Sequence, residues 1–133
     1  MADEAVIIRL LGNAGNPTTY TVADGTGIEK GTLCQLTEPS TASAGATAKP
    51  FAGIAAAEKV ASDGATTLSF YTLGIFDLKD SGAGITAGDL VALSGGNTIF
   101  TATATEVDGG MVVGKALETA SADEVIAVWV GGH

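Results

Sequence analysis

Ile28-Glu-Lys-Gly31-Thr-Leu33-Cys-Gln-Leu36 is said twice by this chain. It returns as Ile85-Thr-Ala-Gly88-Asp-Leu90-Val-Ala-Leu93, with Ile, Gly, Leu and Leu at matching places 57 positions on. A Gly-plus-small-apolar phrase follows each copy: Phe51-Ala-Gly53-Ile54-Ala55, then Val112-Val113-Gly114-Lys-Ala116. Their glycines lie 61 positions apart, so the second copy carries an insertion. Each half closes on a strand-like run ending in glycine, Leu68–Gly74 and then Val125–Gly131, again 57 apart. Two copies are fewer than the three or more that a solenoid needs. The repeat therefore predicts two halves of one barrel or sandwich.

Working outward, the chain of 133 residues fits a single domain able to bury its own core. Aromatics make up only 5% of it, so Val, Ile, Leu and Ala must build that core. Nineteen glycines are spread along the chain and not pooled in a linker, the pattern of short strands joined by tight turns. Lys30-Gly31 and Ala87-Gly88 are expected at turns needing positive φ, with Asp89 accepting from turn amides. Thr18–Val22, Leu68–Leu73, Gly74–Leu78 and Thr98–Thr103 read as strands, and residues 38–50 as a surface loop of small residues. Nowhere does helical periodicity last beyond about two turns. The expected fold is all-β, a small single-domain β-barrel with two pseudo-repeated halves and at most one short helix.

Two segments carry more apolar surface than such a barrel needs. Residues 5–11, Ala-Val-Ile-Ile-Arg-Leu-Leu, are apolar on both alternating faces apart from Arg9. They are either a first strand of the barrel or an arm that adds a strand to another molecule. Val125–Val130 is apolar on both sides too, with Val125, Ala127 and Trp129 facing one way and Ile126, Val128 and Val130 the other. A strand with one solvent face would show polar residues on it. This points to burial between layers or to a partner chain, with Tyr71, Val128, Trp129 and Val130 as candidate oligomer contacts.

A search for chemistry returns little. The net charge of −9 and six scattered basic residues argue against nucleic acid or an anionic membrane as a partner. No run approaches the roughly 18 apolar residues of a membrane-spanning helix, and Met1-Ala-Asp-Glu4 lacks the basic start of a secretory signal. Cys34 is the one cysteine and stands where the second copy has Val91, which reads as a small buried apolar residue. His133 is the one histidine and the final residue, which leaves no base for a Ser–His or Cys–His pair. Asp77 and Asp80 do not form a calcium loop, and no glycine cluster has dinucleotide spacing. The expectation is no enzyme activity, no metal and no cofactor.

The ordered phrases Lys30-Gly31-Thr32-Leu33, Phe51–Ala55, Gly74-Ile75-Phe76, Ile85–Asp89 with Val91, and Val113–Leu117 before a Val-rich strand resemble those of the capsid decoration (head cement) proteins of tailed bacteriophages. The resemblance spans about residues 25–130. It implies a β-barrel or β-tulip-like fold and a homotrimer. It also implies a place on the outside of an icosahedral head, bound to the major capsid protein after synthesis in the host cytoplasm. It further implies a terminal arm, for which residues 1–19 are the candidate ahead of a barrel at 20–133, with Val6, Ile7, Ile8, Arg9, Leu10 and Leu11 as capsid-binding residues. A rival reading is a carbohydrate- or host-binding module on the virion surface, stacking sugars on Tyr20, Tyr71 or Trp129.

Overall fold

A computed structural model describes residues 4–9 and 17–131; Leu10, Leu11 and His133 lie outside the described residues. The strands are β1 (Val6–Arg9), β2 (Thr18–Thr21), β3 (Leu33–Glu38), β4 (Thr41–Ala44), β5 (Phe51–Ala55) and β6 (Thr67–Tyr71). They continue as β7 (Gly74–Asp80), β8 (Leu90–Ser94), β9 (Thr98–Thr101), β10 (Val112–Ala116) and β11 (Val125–Val130), with the helix α1 (Ala104–Asp108) between β9 and β10. The fold is all-β with one short helix, as the sequence predicts.

The duplication goes further than expected. Each repeat closes a five-stranded barrel of its own, instead of supplying half of one. The first barrel runs β2-β4-β3-β5-β6, and β7-β9-β8-β10-β11 closes in the same order. In each, the first strand pairs parallel with the third, Thr21 with Thr41 and Lys79 with Thr98. Pairs match one for one: Cys34–Gly53 with Val91–Gly114, Leu36–Ala42 with Leu93–Ile99, Ile54–Tyr71 with Lys115–Trp129. Turn bonds match as well, since Gly31 N donates to Ala55 O and Gly88 N to Ala116 O.

Pairing corrects one register. Thr21 faces Thr67 and Lys79 faces Val125, so the closing strands correspond at an offset of 58, not 57. A one-residue shift exchanges the faces of a strand; the true register sets Leu68 with Ile126 and Phe70 with Val128, all buried. The longer loop of the second copy holds α1, capped by the Thr103–Glu106 box. Residues 38–50 are also less of a loop than expected, because β4 lies within them and Ala42 is buried.

Two cores result. Phe70, Cys34, Val22 and Ile28 fill the first barrel. Phe76, Leu78, Val91, Ile99, Val113 and Val128 fill the second, and Leu33 and Ile54 of the first barrel join that cluster, so the two barrels pack together. Gly114 makes the second barrel possible at its tightest point: a Cβ there would overlap the carbonyl of Trp129 on the neighbouring strand.

Candidate functional site

The N-terminal segment spans both barrels. Ala5 N donates to Gly31 O at 2.8 Å, and the Ala5 side chain is buried in the core. Gly31 has φ +86, and a Cβ on it would come within 2.7 Å of the Glu4 side chain, so only glycine lets the segment cross. The chain then enters β1, antiparallel to β7. A bulge at Ile8 breaks the register between Ile7 and Arg9. β1 ends the sheet, and its outer edge carries no strand among the described residues. A groove of about 340 Å³ runs beneath it, floored by Ile54, Tyr71 and Phe76 and flanked by Lys30.

Val6, Ile7, Ile8 and Arg9 are all exposed; Val6 and Ile8 keep 53% and 51% of their surface. Four residues of which three are aliphatic, left this open on an edge strand, form a surface that invites a partner. Register extends it across the sheet. Arg9 pairs with Ile75, Ile75 with Trp129 and Trp129 with Lys115, giving one outward row over four strands. The next row holds Val6, Asp77 and Ala127, and Lys79 beside Val125 makes a third. Three of the six basic residues of an acidic chain thus border one apolar face.

The other candidate residues divide between surface and core. Trp129 is exposed at the centre of that face, whereas Val128 and Val130 point into the second barrel and are wholly buried. Strand alternation explains this, and it takes both valines out of any surface available to a partner. Tyr71 is half-buried at the barrel junction, 5.9 Å from the Phe76 ring, and Tyr20 lies 5.4 Å from Phe70 inside the first barrel. Of the three rings proposed for sugar stacking, Tyr20 and Tyr71 are thus packed against core rings, and Trp129 is the exposed one.

Sequence reading missed two polar clusters. Lys59, one of the residues read as scattered, is buried, and its ammonium reaches Asp63 Oδ1 at 2.8 Å and Asp24 Oδ1 at 3.2 Å. Asp63 raises the lysine's pKa above its ordinary value, and that ammonium in turn lowers the pKa of Asp63. Asn97 joins the barrels, accepting from Leu33 N at 2.6 Å and donating to Gly31 O at 3.2 Å. The spacing of Lys59 four residues before Asp63 was the only sequence signal for either. Burial pushes the Cys34 thiol up to about 12, which leaves it without nucleophilic thiolate.

Residues 13–131 match the phage cement protein family. The chain belongs to that family. Membership places this cement protein in the virion, in a structural role associated with a phage capsid, and such proteins are in general not enzymes. No curated protein sequence matches it. Among solved structures it is similar to the head fiber gp8.5 N base in bacteriophage phi29, with a TM-score of 0.55 and 17% identity over 85% of this chain and 91% of that one. At that identity the likeness is one of fold, and it agrees with the double barrel of the cement protein described above.

Proposed function

We propose that this cement protein binds the outer surface of the assembled capsid and stabilises it, gripping through β1. The observation that carries the reading is the exposure of Val6, Ile8 and Arg9 on a sheet edge whose outer side has no strand among the described residues. An edge of this kind can be covered by a strand or an apolar ridge of another protein. Ala5 and Gly31 fix the root of the strand, so little ordering entropy is lost on docking. A ligand that binds only the assembled shell stabilises it by RT ln(1 + [L]/Kd), about 2.7 kcal/mol per site at hundredfold saturation.

Co-sedimentation with purified shells tests this. Val6→Asp with Ile8→Asp changes only exposed side chains, so the variant should fold and fail to sediment with shells. Equal sedimentation of variant and wild type would overturn the assignment to β1. Deleting residues 2–12 is a poorer test, because it would also strip the cover from Phe76 and Tyr71.

A further inference from the structure

The outward face of β1, β7, β11 and β10 carries cations that the chain does not neutralise itself. Arg9 and Lys115 stand at opposite ends of one cross-strand row, with Ile75 and Trp129 between them. Three strand spacings of about 4.8 Å set their backbones about 14 Å apart. The chain has fifteen acidic residues, yet neither cation has an ion pair among the described residues, whereas Lys59 is held by two carboxylates. The row itself contains no acid. The neighbouring row contains one, Asp77, between Val6 and Ala127, and Glu118 at the border is taken up by the Ala127 amide.

Between the two cations the surface is apolar. Trp129 keeps 39% of its surface, Leu117 43% and Val125 57%. Leu117 N donates to Ala127 O, so Leu117 extends the face past the end of β10. The Arg9–Ile75 and Val6–Asp77 pairs make this surface continuous with the β1 edge. An exposed apolar area with charge at its rim has the anatomy of an interface. A second copy docked face to face about a two-fold axis through the row would set Arg9 against Lys115, like charge on like. A partner with acids at the rim is favoured at both ends.

Resting on the reading of this protein as a shell binder, we propose that the whole face, and not the β1 edge alone, meets the capsid. The capsid surface it meets is apolar at its centre and carries a carboxylate on either side. Trp129 fills the apolar centre, and Arg9 and Lys115 each face a carboxylate. The rim charges then govern encounter and register, while the buried ring supplies the desolvated contact.

Co-sedimentation with purified shells over a range of salt concentrations tests this. Wild-type binding should weaken as salt rises, because rim charges are screened. Arg9→Glu and Lys115→Glu should each weaken binding about tenfold at low salt, and Arg9→Gln with Lys115→Gln should flatten the salt dependence. Lys49→Glu makes the same change of charge at an exposed position between β4 and β5 and should bind as wild type does. Trp129→Ala should lose about tenfold at every salt concentration. Thermal melts show whether each variant is folded; Arg9 lies on an exposed edge strand, so its substitution keeps the test decisive should Lys115→Glu misfold. A wild type that does not sediment with shells removes the shell-binding reading and the acidic partner together. A wild type that binds, with Arg9→Glu and Lys115→Glu weakened no more than Lys49→Glu, overturns the acidic partner alone. A lower mass of the charge variants than of wild type in sedimentation velocity without shells would overturn it too, by giving the face to a second copy.

Discussion

Val22 and Asp80 occupy the same position in the two barrels. Val22 N donates to Thr66 O and Asp80 N to Glu124 O, both at 2.9 Å, and both side chains are buried. One is an aliphatic core residue of the first barrel; the other carries a carboxyl group whose Oδ2 accepts from Gly84 N at 2.9 Å while Oδ1 has no partner among the described residues. A buried polar oxygen without a partner is costly to keep, and a carboxyl group placed in an apolar core is costly to introduce. Asp80→Val is therefore expected to raise the melting temperature by a few degrees. Val22→Asp should cost about 3–5 kcal/mol. Urea unfolding of both variants checks this, and a large loss in Asp80→Val would mean that the carboxylate is structurally required.

Asn97 is the polar staple between the barrels. Its substitution by glycine keeps the positive φ but leaves the Leu33 N–H without its acceptor, a loss of about 1–3 kcal/mol. Alanine at this position adds about 1 kcal/mol of backbone strain. Chemical denaturation should therefore rank wild type above Asn97→Gly above Asn97→Ala. Hydrogen exchange at Leu33 should quicken in both variants; an unchanged rate would show that the Asn97–Leu33 bond does not hold the barrels together.

The duplication was legible because Gly31 and Gly88 and the leucines after them do the same work in both copies. Both glycines take positive φ, and Asp89 Oδ2 accepts from Thr86 N within its turn, as turn chemistry predicts. Closure of each copy into its own barrel was not legible, since it rests on short parallel pairings between segments that no local pattern links. The closing strand was misplaced by one residue because Val125–Val130 is apolar on both faces, and alternation then fixes no register. β4 escaped because Thr, Ala and Ser have the composition of a loop. The apolar surplus of residues 5–11 was visible as such, but its anchor to Gly31 is a backbone bond to a residue 26 positions away. Alternation set Trp129 on the face opposite Val128 and Val130, but with both faces apolar it did not tell which of them turns outward.

Acid should weaken this protein through Asp63 and Glu106. The Lys59 ammonium lowers the pKa of Asp63, and the Thr103 amide and hydroxyl lower that of Glu106. A carboxylate with a lowered folded pKa stabilises fully above its unfolded value, about 4, and loses that contribution as pH falls through the folded value. Lys59 behaves oppositely: its stabilisation is complete below the ordinary lysine value of 10.5 and is lost as pH rises beyond it. Melting temperature is expected to be level in the neutral range as far as these groups decide it, and to drop below about pH 4. Asp63→Asn should lower stability at pH 7 and make the acid drop shallower. An identical acid limb in wild type and variant would remove Asp63 from the account.

Cys34 and Val91 are counterparts, each wholly buried and each paired with a glycine, Gly53 and Gly114. Burial holds the thiol at about 12, so essentially no thiolate exists at neutral pH, and the sulfur contacts no solvent. A thiol-specific reagent such as dithionitrobenzoate should not modify the folded protein at pH 7.5 and should titrate one thiol in denaturant. Reaction in the folded state would then proceed only through opening of the first barrel, so its rate reports how often that barrel opens. Cys34→Val places the second copy's own residue in the first barrel and should change stability by less than about 1.5 kcal/mol. Cys34→Asp buries an unpaired charge beside Phe70 and Ala52 and should unfold the first barrel. Rapid labelling of the native protein, or a severe loss in Cys34→Val, would contradict the equivalence of the two barrel cores.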